Sequence, residues 1–260
     1  MSKFSLRPRP RGGRWPVVFA WVAVLLLVIG AALMGGAGPL HRLGVTSLGE
    51  SFGLLRQGAY LAMGAAALGL VALGIASVCR RGKPALVGLM VIAAVAGMMV
   101  VPWQMMQRAQ NVPPIHDITT DMQDPPVFET LAPAREAAPN AVDYPGEDFA
   151  RQQRTAYPSI QPLTIALPLA EVRQTVEEVA REAGWEIAHV SDSRLEATAT
   201  TRWFGFKDDV VVRLTPGNDG VRVDVRSASR MGMSDIGTNA GRVNGYLEAL
   251  KAKHPNRLAE

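Results

Sequence analysis

The chain has almost no cysteine, almost no acid in its first hundred residues, and no charge well inside any of its three long apolar runs. One cysteine in 260 residues, Cys79, excludes an intramolecular disulfide. Beside Arg80 and Arg81 it reads as a small apolar filler rather than a reactive thiol. Residues 1–102 hold ten Lys or Arg and a single acid, Glu50, which leaves 17 basic against 22 acidic residues afterwards. The whole-chain charge of +4 therefore hides an acidic carboxy-terminal part of about −5, and nucleic acid, whose binding depends on neutralising phosphates, is excluded as a general partner. Apolar runs without Asp, Glu, Lys, Arg or His at depth also argue against a carrier or a pump.

What is present begins with Ala85–Val101, ALVGLMVIAAVAGMMVV, lying between Lys83-Pro84 and Pro102-Trp103. At 1.5 Å per residue it spans roughly 26 Å, close to the hydrocarbon thickness of a bilayer. It shows none of the polar stripe that a buried soluble helix carries. Val17–Met34 is an earlier run of the same kind, too long for the apolar part of a signal peptide, and Gln57–Val78 is a third. Gly35–Arg56 is expected to be a polar loop between the first two. Gly58, Ala62 and Ala66 recur every four residues on one ridge, suited to close packing among the spans or, second, to oligomerisation. The lipid bilayer is thus the first partner.

Lys and Arg in short flanks resist translocation and set orientation. The basic tail over residues 1–16 has five, CRRGK between the later spans has three, and the first loop has Arg42 with Arg56 at its edge. Tail and turn are expected in the cytoplasm of a plasma (inner) membrane protein, with the carboxy-terminal domain periplasmic or extracellular. The expected division is a tail over 1–16, three membrane helices over 17–102, a proline-rich linker or wrapping segment over 103–160, and an α+β domain over 161–254.

Asn111–Pro168 contains ten prolines, which forbid regular helices and central strands over most of it. It also carries Ile115, Ile118, Phe128, Leu131, Tyr144, Phe149 and Tyr157, more apolar anchors than a spacer needs, so wrapping is favoured over a free tether. Glu147–Thr155 suits a short helix. From Gln161 the order is strand (LTIAL), helix (apolar at 172, 176, 179, 180 and 183, stopped by Gly184), then WEIAHV, LEATATT, DVVVRLT and VRVDVRS as strands. A last helix, capped by Ser234 or Asp235, carries Ile236, Ala240, Val243, Leu247 and Leu250 on one stripe and Gly237, Gly241 and Gly245 opposite. Val221, Val223 and Val225 alternate with Arg222, Asp224 and Arg226, so one sheet face is expected to be core and the other wet or lining a cavity. The fold class is a three-span helical membrane anchor plus an α+β domain, with an antiparallel sheet packed by two main helices.

PPIHDITTDMQDPPVF at 113–128, AYPSIQP at 156–162, FGFKDDVVVR at 204–213 and VDVRSASRMGMSDIGTNAGRV at 223–243 resemble, in order, the domain of unknown function 1499 family, over about residues 111–252. The resemblance implies an exported or membrane-tethered domain and carries no activity across. Gly241 and Gly245 belong to this chain rather than to that pattern.

Candidate chemistry concentrates in SRMGMSDIGTN, where Arg226, Arg230, Ser234, Asn239 and Arg242 surround a strand-to-helix turn. Guanidiniums near a helix amino terminus suit a carboxylate or phosphate, and ion pairing with Asp224 and Asp235 accounts for the same residues. His116, Asp117, Asp121 and Asp124 match no standard zinc or calcium spacing. Serines 227, 229 and 234 have only His189 and His116 as candidate bases, without a G-x-S-x-G elbow. No catalytic residue, metal or cofactor is therefore expected. The leading expectation is a non-enzymatic binding or scaffold module at the membrane, with an envelope protein or lipid as partner. A binder of a small anionic or amphipathic ligand comes second, with a large apolar cavity beside Arg226 and Arg230 as its mark, and an unrecognised hydrolase third.

Overall fold

The structure, a computed structural model, describes residues 11–258, and the chain divides into two units between Gln104 and Met105. Residues 1–10 of the expected basic tail lie outside the described residues.

Three helices, α1 (Trp15–Arg42), α2 (Leu48–Val78) and α3 (Gly82–Asn111), are each long and apolar enough to cross a membrane. Lipid tails are as apolar as such helices, so their association rests on close packing, which small residues permit. The buried positions of α2 include Gly58, Ala62, Ala65, Gly69, Ala72 and Ala76. A Cβ added to Gly58 would lie 2.7 Å from the Gly30 carbonyl oxygen of α1, and one on Gly69 would lie 3.0 Å from the Gly88 carbonyl oxygen of α3. The ridge that begins at Gly58 and Ala62 thus packs within the chain.

Two boundaries differ from the sequence expectation. The loop expected over Gly35–Arg56 shrinks to residues 43–47, because α1 runs on to Arg42 and a capping box starts α2 early. Ser47 Oγ accepts the Glu50 N–H at 3.3 Å, and the Glu50 carboxylate accepts the Ser47 N–H at 2.7 Å. Helix α3 also continues through Pro102 to Asn111. The proline forfeits one hydrogen bond, but the Met, Gln, Arg and Ala around it are good helix formers.

The second unit is built on a six-stranded antiparallel sheet: β1 (Asp117–Thr119), β2 (Leu163–Ile165), β3 (Glu186–Val190), β4 (Arg194–Thr200), β5 (Lys207–Gly217) and β6 (Gly220–Ser229). Its order is β1-β6-β5-β4-β3, and β2 also pairs with β6. Strands β1 and β2 lie end to end along the outer edge of β6, opposite residues 226–228 and 221–223. Helices α4 (Ala132–Glu136), α5 (Glu147–Ala156), α6 (Leu169–Glu182) and α7 (Thr238–Lys253) complete it.

Strand alternation gives the sheet two faces. On one, Leu195, Ala197, Val210, Val212, Leu214, Val221, Val223 and Val225 form a core with Val172, Val176 and Val179 of α6 and Ala240, Val243, Tyr246, Leu247 and Leu250 of α7. Gly184, at φ 74, ends the turn after α6. The stripe expected on the last helix holds from Ala240 onward. Ile236 falls outside it, because it and Gly237 take left-handed conformations (φ 53 and 76) in the turn before α7. The other face, expected to be wet or to line a cavity, is covered instead by residues 121–145, with Phe128, Leu131 and Val142 packed on Val211 and Ala228.

Candidate functional site

The covered face is where the charged residues of the domain collect. The registers of β4, β5 and β6 place Glu196, Thr198, Asp209, Arg213, Asp224 and Arg226 on the same side. Arg226, 1 % exposed, donates to both oxygens of Asp117, with Nε–Oδ1 at 3.0 Å and Nη2–Oδ2 at 2.8 Å. Its remaining N–H groups donate to the carbonyls of Pro126 and Val142 in the cover. Asp209 is shared by two arginines. Arg230 donates to its two oxygens at 2.8 Å each, and Arg135, wholly buried, reaches it at 3.2 Å. Hydrogen bonding to Asp209 raises the Arg230 pKa above its usual value, whereas burial lowers that of Arg135.

The cover is pinned along its length. Asp121 and Asp124 pair with Arg213 at 3.3 and 2.7 Å, and Asp121 also pairs with Arg222 at 2.8 Å. Phe128 receives Arg135 and Arg226, whose guanidinium carbons lie 4.7 and 4.8 Å from the ring centroid. The buried Glu196 carboxylate accepts the N–H groups of Glu129, Thr130 and Leu131 at 2.8–3.2 Å. Asn140 donates to the carbonyls of Ser229 and Gly232. Separating one partner from such a buried pair typically costs about 3–5 kcal/mol.

The residues expected to make an anion site fall on two sides of this sheet. Arg226 and Arg230 belong to the covered face. Asn239 and Arg242 lie on the helix side, where Arg242 pairs with Asp208 at 2.6 Å and Asn239 bridges Ser227, Ser229 and the His116 carbonyl. Ser234 sits in the loop between β6 and α7, its hydroxyl accepting the Ile236 N–H. The five do not converge on one pocket. Of the acids expected to pair with these arginines, Asp224 pairs with Arg213 and Arg222 instead. Asp235 caps α7, accepting the N–H groups of Asn239 and Gly237 at 2.6 and 2.9 Å, with its pKa raised by burial.

Arg135, Asp209 and Glu196 were not singled out as site residues from the sequence, although LEATAT carries polar residues at every second position, and Phe128 was named only as an apolar anchor. Asp117, Asp121 and Asp124, weighed as metal ligands, serve as carboxylate partners of arginines. Among the described residues no group of three or more His, Cys, Asp or Glu is placed to hold a metal. His189 on β3 and Ser227 on β6 are three strands apart, about 14 Å. His116 packs its ring edge against Phe149 at 5.2 Å, and burial lowers its pKa.

An open feature lies between α6 and α7. A groove of about 360 Å³ is lined by Val179, Ala183, Trp185, Gly241, Gly245 and Tyr246, with Glu182 and Arg242 as its charged residues. Trp185 stacks on Tyr246 at 4.7 Å, and the Tyr246 hydroxyl donates to the Val176 carbonyl. Among the described residues a Cβ on Gly241 or Gly245 would meet nothing within 4 Å, so packing there requires neither glycine. Gly237, expected beside them on the helix, stands ahead of it at the N-cap position.

No curated protein matches the chain in sequence. The model of one family matches residues 117–250, from the first residue of β1, which carries Asp117, to Leu250 in α7, and so takes in both faces of the sheet and the cover between β1 and β2. The chain, a three-helix membrane anchor followed by this α+β domain, belongs to the family described as protein of unknown function (DUF1499).

Proposed function

We propose that this chain is a non-enzymatic binding or scaffold module, held in the plasma (inner) membrane by its three helices, that presents its domain outside the cytoplasm. One observation carries the reading: the arginines best suited to capture a ligand are already committed to carboxylates, Arg226 to Asp117, Arg230 to Asp209 and Arg242 to Asp208. Such pairs, on both sides of the sheet, hold a shape and leave recognition to the surface around them. The orientation rests on Arg80, Arg81 and Lys83 between α2 and α3, against residues 43–47 between α1 and α2, which have no basic residue. Partners are then envelope proteins or lipids. Paired fusions at residue 260 test the sidedness: alkaline phosphatase is expected to be active and green fluorescent protein dark, and the reverse pattern refutes export.

A second reading, the binding of a small amphipathic anion, draws on the groove between α6 and α7. Its size falls in the range of ligand sites, and its lining is mainly apolar with Arg242 as its cation, set against the carboxylate of Glu182. Thermal unfolding of the detergent-solubilised chain with inorganic phosphate or dodecyl phosphate separates the two. The leading reading predicts no shift. The second predicts stabilisation by dodecyl phosphate alone, lost in Gly245→Leu.

A further inference from the structure

The end of the helical unit where α1 begins collects positive charge and no acid to neutralise it. Arg14 stands at the N-cap position of α1, Arg80 and Arg81 form the turn after α2, and Lys83 lies in the first turn of α3. Two contacts bring the start of α1 onto that turn: Arg81 Nη1 donates to the Gly13 carbonyl at 2.6 Å, and a Cβ added to Gly12 would lie 2.5 Å from the Cys79 sulfur. Arg11, Arg14, Arg80 and Lys83 are exposed. Residues 11–104 contain one acid, Glu50, at the opposite end of α2 and about 45 Å of helix away. At several screening lengths it offsets none of this charge.

The backbone adds to it. Helices α1 and α3 both start at this end, so the positive ends of two helix dipoles meet there, and neither helix has an acid in its first turn. In the turn after α2 the Arg81 N–H donates to the Ala76 carbonyl at 2.8 Å, and Arg80 takes φ 54, the left-handed position that glycine ordinarily fills at a helix end. A β-carbon is strained there, and the guanidinium it carries is exposed and pairs with no carboxylate among the described residues. Trp15, 65 % exposed, opens α1 beside these cations, and an amphipathic indole favours the level of lipid headgroups.

We infer that this end of the helical unit binds the phosphate of an anionic phospholipid, with Arg14, Arg80 and Lys83 as its cations and Arg81 holding the start of α1 against the turn. The inference rests on the part of the proposed reading that seats the three helices in a bilayer, and on neither the carboxy-terminal domain nor the side it occupies. Flotation of the full chain with phosphatidylcholine liposomes tests that seat alone; it is expected for the parent and every variant, and a chain that does not float refutes seat and site together. For the site, phosphatidylglycerol and phosphatidylcholine compete for the detergent-solubilised full chain, and native mass spectrometry reads which is retained. A basic residue at the lipid surface contributes roughly fivefold to such a preference. Arg14→Gln with Arg80→Gln is therefore expected to lower the preference for phosphatidylglycerol at least about tenfold, and Arg42→Gln with Arg56→Gln, an equal loss of charge at the other end, less than about twofold. Arg80→Gly relieves the left-handed strain, so it is expected to melt no lower than the parent without lipid while losing roughly fivefold in preference, an outcome that a structural role for Arg80 does not give. Equal losses in the two double variants, a parent without preference for phosphatidylglycerol, or an undiminished preference in Arg80→Gly overturns the inference.

Discussion

The two faces of the one sheet are closed in opposite ways. Between the sheet and α6 and α7 lies mainly hydrocarbon, non-directional and forgiving of shape as long as volume is kept, with the Asp208–Arg242 pair and Asn239 confined to the start of α7. Between the sheet and residues 121–145 lie Asp117, Arg135, Glu196, Asp209 and Arg226, each held by a particular partner, with the Arg135 Nε alone of that guanidinium's nitrogens lacking an acceptor. A proline-rich segment has few backbone N–H groups in regular pairing, so it cannot join the sheet over most of its length. Side chains that reach its carbonyls and amides fix it in place instead. The same contrast separates the helical anchor, where small residues permit contact, from the charged layer, where long residues bridge a gap.

The largest break in this comparison comes from Asp209→Ala, which leaves the buried Arg135 and the half-buried Arg230 without a carboxylate. Urea unfolding of the solubilised chain is expected to show a loss of about 3–5 kcal/mol. On the apolar face Leu250→Ala is expected to cost about 2–5 kcal/mol, but Leu250→Met at most about 1.5, since volume is preserved. Asp209→Asn, equally close in shape, is expected to exceed Leu250→Met; equal losses would erase the distinction between the faces.

Smaller effects sharpen it. Gly241→Ala and Gly245→Ala meet open space and are expected to raise stability by up to about 1 kcal/mol each, whereas Gly58→Ala is expected to lower it through the backbone of α1. Thermal melts of the three variants check the signs. His116 contributes a pH dependence. Burial lowers its pKa in the fold below the ordinary 6.5, so on acidification the unfolded chain takes up a proton before the native state does. Stability is complete above pH 6.5 and falls as the pH drops through and below it, until the folded form also titrates. His116→Gln is expected to flatten that slope between pH 7 and 5, measured from unfolding midpoints.

Much of the fold was legible because periodicity is local. The runs of 17 to 18 or more apolar residues, the stripe at Val172, Val176 and Val179, and the alternation in VRVDVRS each need only a short window. The capping box at Ser47 and Glu50 was equally local and marks a boundary that the polar look of Gly35–Arg56 concealed. The covered face was not legible, because its pairs join residues far apart: Asp117 to Arg226, Asp121 to Arg222 and Glu196 to residues 129–131. Arg226, Arg230 and Arg242 were named as a cluster from their nearness in sequence. Strand alternation and the turn before α7 then send them to different faces, something composition cannot report.

The claim at the centre of this account is that the buried arginines hold the cover in place rather than a ligand. A double-mutant cycle on Asp117 and Arg226 tests it most directly, with Asp117→Leu, Arg226→Met and the pair measured by urea unfolding of the full chain. Each single change is expected to cost about 3–5 kcal/mol and the pair less than their sum, because the double change leaves no buried charge unpaired and forfeits only the Arg226 hydrogen bonds to the Pro126 and Val142 carbonyls. A pair that costs the full sum of the singles would contradict the account.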